Sequence, residues 1–156
     1  MKKIIFIAVV LLNLNTNTFA SEIYGISVIT DGDTIKISNN KIRLHGIDAP
    51  EQNQKCTKNK KEYNCGVVAT DALVKKIGKN LVKCFTQKNK DRYNRFIGVC
   101  FVEKEDINKW MVRNGYAIAY RRYSKDYILD EEFAKKNKLG LWSGAFLKPE
   151  KWRKLN

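Results

Sequence analysis

The chain has little of what several protein classes require. No Cys-x-x-Cys motif and no Cys/His pair has the usual spacing of zinc ligands, and the 156 residues include a single histidine. No internal repeat, linker or second domain is evident. The apolar run at residues 4–12 is far shorter than the ~20 residues that a membrane-spanning helix requires. These absences argue against a zinc protein, a repeat array and a membrane-spanning chain.

Positive charge is what the chain has in excess. Its 30 Lys and Arg residues outnumber its 16 Asp and Glu residues, so the formal net charge is +14. A hydrophobic content of 44% argues against disorder, and the length suits one domain with a sizeable core. Such a charge favours a polyanionic partner, either nucleic acid or an anionic surface, and by itself does not choose between them.

The amino terminus has the pattern of a secretory signal peptide. Lys2 and Lys3 precede the apolar run, and the small residues Thr18 and Ala20 stand before a predicted cleavage ahead of Ser21. We therefore expect a signal peptide at residues 1–20 and one domain at residues 21–156. The mature protein should be secreted or periplasmic, with no stable membrane insertion after cleavage.

Four cysteines follow the predicted cleavage site. An even number in an oxidising compartment predicts two disulfides, for which three connectivities exist. Cys84 and Cys100 fall in two strand-like runs that can pair as a hairpin, which favours a bridge between them. Cys56 would then pair with Cys65 and close a lysine-rich loop.

The pattern of apolar and turn residues predicts an α+β domain. Strands are expected at residues 23–29, 34–37, 41–45, 81–86 and 95–102, and a polar surface loop at residues 51–64. A helix is expected at residues 66–77, ending at Gly78, and another at 107–113 with Asp106 as its N-cap. A third is expected at residues 129–138. Five short strands with three α-helices suit an OB-fold β-barrel.

The segment from Asp31 to Glu51 combines carboxylates with an arginine. Asp31 is a turn residue in this pattern, whereas Asp33 and Asp48 offer the hard oxygen ligands that Ca²⁺ or Mg²⁺ prefers. Pro50 restricts the preceding residue to an extended backbone, which can aim the Ala49 carbonyl at the same ion. This pattern predicts a metal site for a hard divalent cation.

Two arginines and a glutamate could carry out phosphodiester chemistry beside that metal. The planar guanidinium groups of Arg43 and Arg95 can each donate two parallel hydrogen bonds to phosphate oxygens. They suit the negative charge that increases in the transition state of hydrolysis. Glu51 is placed in the sequence to orient or deprotonate the attacking water.

The ordered motifs Asp-Gly-Asp-Thr, Ile-Arg-Leu-x-Gly-Ile-Asp-Ala-Pro-Glu, Asp-Arg-Tyr-x-Arg and Gly-Leu-Trp closely resemble the staphylococcal nuclease-like (thermonuclease) family. The resemblance covers residues 23–142 and points to an exported, cysteine-containing member. It implies an OB-fold barrel with three helices. It also implies Ca²⁺-dependent hydrolysis of DNA and RNA that leaves 3′-phosphates.

The resemblance further implies a role for each matching residue. One calcium ion would be bound by Asp33, Asp48 and the Ala49 carbonyl. Arg43 and Arg95 would be the catalytic arginines, and Glu51 would activate water. The substrate-binding residues implied by the resemblance are Arg92 and Tyr93 at a terminal phosphate and Tyr120 and Tyr123 at the nucleotide.

Two other functions are compatible with the charge. One is a non-catalytic OB-fold module that binds nucleic acid, and the other is a basic exported protein that adheres to an anionic surface. The presence of all the charged site residues favours a nuclease over the other two functions. A monomer is the default expectation for its oligomeric state. We also expect the lysines of residues 52–64 to steer nucleic acid toward the site.

Overall fold

The computed structural model describes residues 21–156, and the expected signal peptide at residues 1–20 lies outside the described residues. The domain is mixed α+β. Its strands are β1 (Ser21–Gly25), β2 (Ser27–Asp31), β3 (Thr34–Ile37), β4 (Asn40–Leu44), β5 (Ile47–Asp48), β6 (Cys56–Lys58), β7 (Lys61–Tyr63), β8 (Val82–Thr86), β9 (Phe96–Val102), β10 (Glu105–Asp106) and β11 (Ile118–Ala119). Its helices are α1 (Cys65–Ile77), α2 (Ile107–Arg113), α3 (Ile128–Lys136) and α4 (Pro149–Leu155), with a 3₁₀ turn at Gly140–Ser143.

The main sheet is curled into a half-barrel. Its strand order is β1-β8-β9-β4-β3-β2, with β10 beside β9, and every pairing is antiparallel except that of β4 with β9. The two outermost strands, β1 and β2, are consecutive in the chain and separated only by Ile26. They arise where one strand was predicted, because Gly25 takes a φ of 155° that interrupts it. The sheet therefore has to bend so that both of its edges meet at this point.

The concave face of the sheet packs against α1 and α2. Alternate residues of β3 and β4 point inward, and Ile35, Ile37, Ile42 and Leu44 are each at most 1% exposed. The helices contribute fully buried side chains such as Leu73 to the same core. This packing fixes β4, which carries Arg43, against the rest of the barrel.

The helix boundaries agree with the predictions in two cases. Helix α1 ends before Gly78, whose positive φ of 57° favours glycine at this position. Asp106 caps α2 by accepting the N–H of Lys109 at 2.9 Å. Helix α3 ends two residues earlier than expected, because Asn137 takes the C-cap position and Lys138 has a φ of 52°. No helix within residues 21–156 has both the length and the apolar character needed to cross a membrane.

The expected count of three helices and five strands is not confirmed. A fourth helix, α4, follows the 3₁₀ turn near the end of the chain, and short strands outside the main sheet add to the total. The polar surface loop predicted at residues 51–64 was wrong in part, since β6 and β7 form a hairpin there. Both predicted disulfides are present: Cys56–Cys65 joins this hairpin to the start of α1, and Cys84–Cys100 joins β8 to β9. Two disulfides are consistent with an extracellular or periplasmic protein.

Candidate active site

Arg43 lies at the centre of the acidic cluster. Its side chain is only 12% exposed, and its Nη2 atom forms a salt bridge with Asp33 Oδ2 at 3.0 Å and donates a hydrogen bond to Asp48 Oδ1 at 3.3 Å. Its Nη1 atom donates to the Leu44 carbonyl at 3.1 Å. A single guanidinium nitrogen thus brings together the two carboxylates that the sequence predicts as metal ligands.

Asp33 follows a tight turn between β2 and β3. The turn is stabilised by Asp31, whose Oδ1 accepts the Asp33 N–H at 3.0 Å, as expected of a turn residue. Burial, and then the neighbouring charge of Asp33, raise the pKa of Asp31 to about 6. Asp33 Oδ2 also accepts the Ala49 N–H at 2.8 Å. This hydrogen bond holds the backbone of Ala49 against the Asp33 carboxylate.

Asp48 is the most buried carboxylate of the site, with no solvent exposure. It ends β5, which pairs with β11 at Ile118. Its two oxygens accept four hydrogen bonds: from Arg43 Nη2, from the Glu150 N–H at 3.1 Å, and from Arg153 Nη1 and Nη2 at 2.9 and 3.2 Å. Burial raises the pKa of Asp48 to about 6, although its hydrogen bonds with Arg153 act in the opposite direction.

Glu51 lies beside Asp48 at a half-exposed position. Its Oε1 accepts a hydrogen bond from Arg153 Nη1 at 2.7 Å, so the same guanidinium contacts both Glu51 and Asp48. The Glu51 backbone packs directly on the start of α1, where a Cβ at Gly66 would lie 1.8 Å from the Glu51 carbonyl oxygen. Only glycine permits this approach, which fixes the loop on which Glu51 is carried.

Gln54 stabilises the same loop from inside. It is fully buried, its Oε1 accepts the Glu51 N–H at 3.3 Å, and its Nε2 donates to the Leu147 carbonyl at 2.7 Å. Its backbone N–H closes a turn onto the Glu51 carbonyl at 2.8 Å. Gln54 therefore connects the position of Glu51 to the last residues of the chain.

Arg95 approaches the cluster from the start of β9 but is bound to a different carboxylate. Its Nε atom donates to Asp91 Oδ2 at 2.9 Å, and its Nη2 atom forms a salt bridge with the same oxygen at 2.8 Å. Burial acts to raise the pKa of Asp91, but the hydrogen bonds with Arg95 outweigh it, so that pKa lies below its usual value. Arg95 Nη1 is 3.5 Å from Thr34 Oγ1, and Thr34 is paired with Arg43 across β3 and β4. The second arginine is thus near the first without contacting Asp33 or Asp48.

Two groups of aromatic and basic side chains flank the cluster. Beside Arg95, the exposed ring of Tyr93 lies 4.8 Å from the guanidinium carbon of Arg92 and 5.2 Å from that of Arg95. On the other side, the rings of Tyr120 and Tyr123 are 4.9 Å apart in an edge arrangement. Burial, and then the charge of Asp48, raise the pKa of Tyr120. The site accordingly has two flanks on which a planar or anionic group could lie.

Arg153 and Gln54 were not identified from the sequence. The start of α4 has a recognisable signal, since Pro149 is at the first position, Glu150 lies in the first turn and basic residues occupy the last turn. No local pattern, however, connects Arg153 with carboxylates that lie more than a hundred positions earlier. Gln54 lies within the polar segment at residues 51–64 that predicts a surface loop, and nothing local distinguishes it from its exposed neighbours.

The oxygen donors of the site suit a hard divalent cation, although the protein offers few of them. Within residues 21–156 no group of three or more His, Cys, Asp or Glu side chains is arranged to hold a metal. Asp33 and Asp48 supply two carboxylates, and the backbone carbonyl of Ala49, the residue after Asp48, is a third oxygen donor. Ca²⁺ and Mg²⁺ both accept carbonyl and water oxygens beside carboxylates, so the residues present fit such an ion.

Comparison with known proteins agrees with this arrangement. A protein-family model described as "Staphylococcal nuclease homologue" matches residues 41–144. The chain is 32% identical over 126 residues to the succinoglycan biosynthesis protein ExoI of Rhizobium meliloti, covering 79% of this chain and 66% of that protein. It is 34% identical over 134 residues to an uncharacterized endonuclease of Haemophilus influenzae (81% and 70% covered) and 34% over 145 residues to the micrococcal nuclease of Shigella flexneri (81% and 77%). These matches support a hydrolase that acts on the ester bonds of nucleic acid. The chain belongs to the staphylococcal nuclease family.

Proposed function

We propose that the protein is an exported, calcium-dependent endonuclease that hydrolyses DNA and RNA and leaves 3′-phosphates. The observation that carries the proposal is the contact of Asp33 and Asp48 with one nitrogen of Arg43, beside Glu51. Phosphodiester hydrolysis requires charge stabilisation and an activated water, and this cluster has groups for both. The family membership and the names of the nuclease relatives support the same reaction. The curled sheet supports an OB-type barrel as its scaffold.

Asp33, Asp48 and the Ala49 carbonyl would hold one calcium ion. The chemistry that the ion supplies, when bound, is neutralisation of charge at a phosphate oxygen. The Ala49 N–H bond to Asp33 and the β5 pairing of Asp48 already restrict where these donors can move. The proposed ligands are therefore held by backbone contacts as well as by Arg43.

The other charged groups would act on the substrate. Arg43 and Arg95 would donate hydrogen bonds to phosphate oxygens as negative charge increases, and Glu51 would accept a proton from the attacking water. Arg95 would first have to exchange its contacts with Asp91 for the phosphate. Substrate binding would extend to both flanks of the site. The flanking residues are Arg92 and Tyr93 beside Arg95, and Tyr120 and Tyr123 beside Asp48.

The decisive experiment incubates the purified, disulfide-bonded protein with plasmid DNA and with RNA, in calcium or in chelator. We expect cleavage in calcium, none in chelator, and 3′-phosphate ends on the products. Glu51→Gln and Arg43→Ala should each lower kcat by about a hundredfold or more. Glu62→Gln is the matched control, because Glu62 is exposed on β7 and, within residues 21–156, forms an ion pair with Lys55 alone.

Full activity in chelator, or in both site variants, would overturn the mechanism. Nucleic-acid binding without any cleavage in calcium would instead indicate the non-catalytic binding module.

A further inference from the structure

The C-terminal segment, residues 145–156, lies against the candidate site although it follows the region matched by the family model, which ends at residue 144. Ala145 forms a backbone bridge with Thr57 on the β6–β7 hairpin, with hydrogen bonds of 2.8 Å in both directions. The Leu147 carbonyl accepts from Gln54, and the Glu150 N–H donates to Asp48. The segment is therefore docked on the site by backbone as well as side-chain contacts.

Arg153 is the residue of this segment that enters the charged cluster. Its guanidinium makes a bidentate contact with Asp48 and a further hydrogen bond to Glu51, at 2.7 to 3.2 Å. It contacts neither Asp33 nor Asp91 among the described ion pairs. Arg153 thus contacts one proposed calcium ligand and the proposed water-activating group at the same time.

The hydrogen-bonding capacity of Asp48 sets a limit on what else can bind there. An ionised carboxylate has about four lone-pair positions. The four hydrogen bonds that Asp48 accepts from Arg43, Glu150 and Arg153 use all of them. A cation can bind Asp48 only if at least one of these donors leaves.

Arg153 is the donor best able to leave. The Arg43 side chain is 12% exposed and is carried by β4 inside the sheet, whereas the Arg153 side chain is 35% exposed on a seven-residue helix near the end of the chain. A positive guanidinium and a divalent cation next to the same carboxylate also repel each other. The charge argument separates the two arginines from the neutral Glu150 N–H, and the greater exposure of Arg153 then separates it from Arg43.

We propose that Arg153 is a positioning residue that holds Asp48 and Glu51 and must withdraw from Asp48 for the metal to bind. The C-terminal helix then weakens metal binding in proportion to the strength of its contacts with the site. This inference rests on the proposed calcium site. Arg153 acts through the two carboxylates.

The test measures calcium binding directly by isothermal titration calorimetry, without substrate. Arg153→Gln should lower the calcium dissociation constant by roughly five- to a hundredfold, the range typical of coupling between two bound groups. Arg153→Lys, which retains the charge but not the bidentate geometry, should lie between that variant and the wild type. Lys154→Gln is the matched control, because it removes one charge from the same helix without touching Asp48 or Glu51. The calcium dissociation constant of Lys154→Gln should equal that of the wild type.

A second readout follows the helix itself. In the wild type, calcium should accelerate amide hydrogen exchange at residues 150–155, because the contacts that dock α4 are lost. An unchanged or higher dissociation constant in Arg153→Gln, or exchange that calcium does not alter, would overturn the proposal. Thermal unfolding of each variant shows whether it is folded, and the exchange measurement on the wild type decides the question without any variant.

Asp33→Asn separates this inference from the function on which it rests. If calcium binding depends on Asp33 but not on Arg153, the metal site stands and the role of Arg153 is wrong. If neither the wild type nor Arg153→Gln binds calcium in an Asp33-dependent manner, the proposed calcium site itself is wrong, and this inference falls with it.

Discussion

Gln54 should be one of the most sensitive polar positions in the protein, and Gln54→Ala tests this. The side chain is fully buried and makes two hydrogen bonds, to the Leu147 carbonyl and from the Glu51 N–H. Two such bonds contribute about 1 kcal/mol each, and the lost methylene about 0.8 kcal/mol. The free energy of unfolding of Gln54→Ala should therefore be about 3 kcal/mol lower than that of the wild type. This loss corresponds to a decrease in Tm of roughly 10 °C in a domain of this size.

Gln52→Ala is the matched control for this prediction. Gln52 is the same residue type two positions earlier, but it is exposed, and its one side-chain hydrogen bond within residues 21–156 is accepted from the Thr70 hydroxyl. Its replacement should change the unfolding free energy by no more than about 0.5 kcal/mol. Urea unfolding of both variants with the disulfides intact, followed by tryptophan fluorescence, gives the comparison. Equal stability of the two variants would refute the claim that Gln54 connects the Glu51 loop to the C-terminal segment.

Three further predictions concern charge, disulfides and pH. Replacing the four exposed lysines near the β6–β7 hairpin by glutamine should weaken substrate capture and flatten its dependence on salt, and an unchanged salt slope would contradict the steering hypothesis. These lysines are Lys55, Lys58, Lys60 and Lys61. Reducing agent should lower Tm, because each disulfide contributes about 2 to 4 kcal/mol; scanning calorimetry with and without reductant measures this, and an unshifted Tm would contradict it. Burial acts to raise the pKa of Glu131, but hydrogen bonds from Lys135 and Arg121 outweigh it and the pKa is lowered. The ion pairs of Glu131 therefore stabilise the fold fully when the pH is above 4.5, the ordinary pKa of this side chain. This stabilisation is lost as the pH falls through the lower pKa of Glu131 in the folded protein. Glu131→Gln should show a smaller loss of stability between pH 6 and about pH 3 than the wild type in urea titrations, and parallel curves would exclude this role.

The sequence was informative wherever a residue and its effect lie close together in the chain. The short apolar run at residues 34–37, bounded by turn residues, predicts a strand, and Asp106 before Ile107 predicts a helix start. Both follow from backbone geometry within a few residues. The disulfide between Cys84 and Cys100 could also be predicted from the sequence, because consecutive strands usually pair.

What the sequence could not show depends on contacts between distant segments. The lysine-rich composition of residues 55–61 disfavours strands, yet a hairpin forms there, beside the Cys56–Cys65 disulfide and the backbone bridge to Ala145. The three-helix expectation followed the part of the chain where the motifs lie, and α4 falls beyond them. The role of Arg153 depends entirely on tertiary structure, since nothing in its neighbours distinguishes it from a solvent-exposed charge.

The contact between Asp48 and Arg153 has a consequence for the order in which the chain is made. The two residues are 105 positions apart, and three of the four hydrogen bonds to the Asp48 carboxylate come from Glu150 and Arg153. During synthesis, every motif of the family is present before these partners exist. A product shortened at residue 144 by a protease or a premature stop would still be recognised as a nuclease by its sequence. It would have lost most of the donors around its most deeply buried carboxylate.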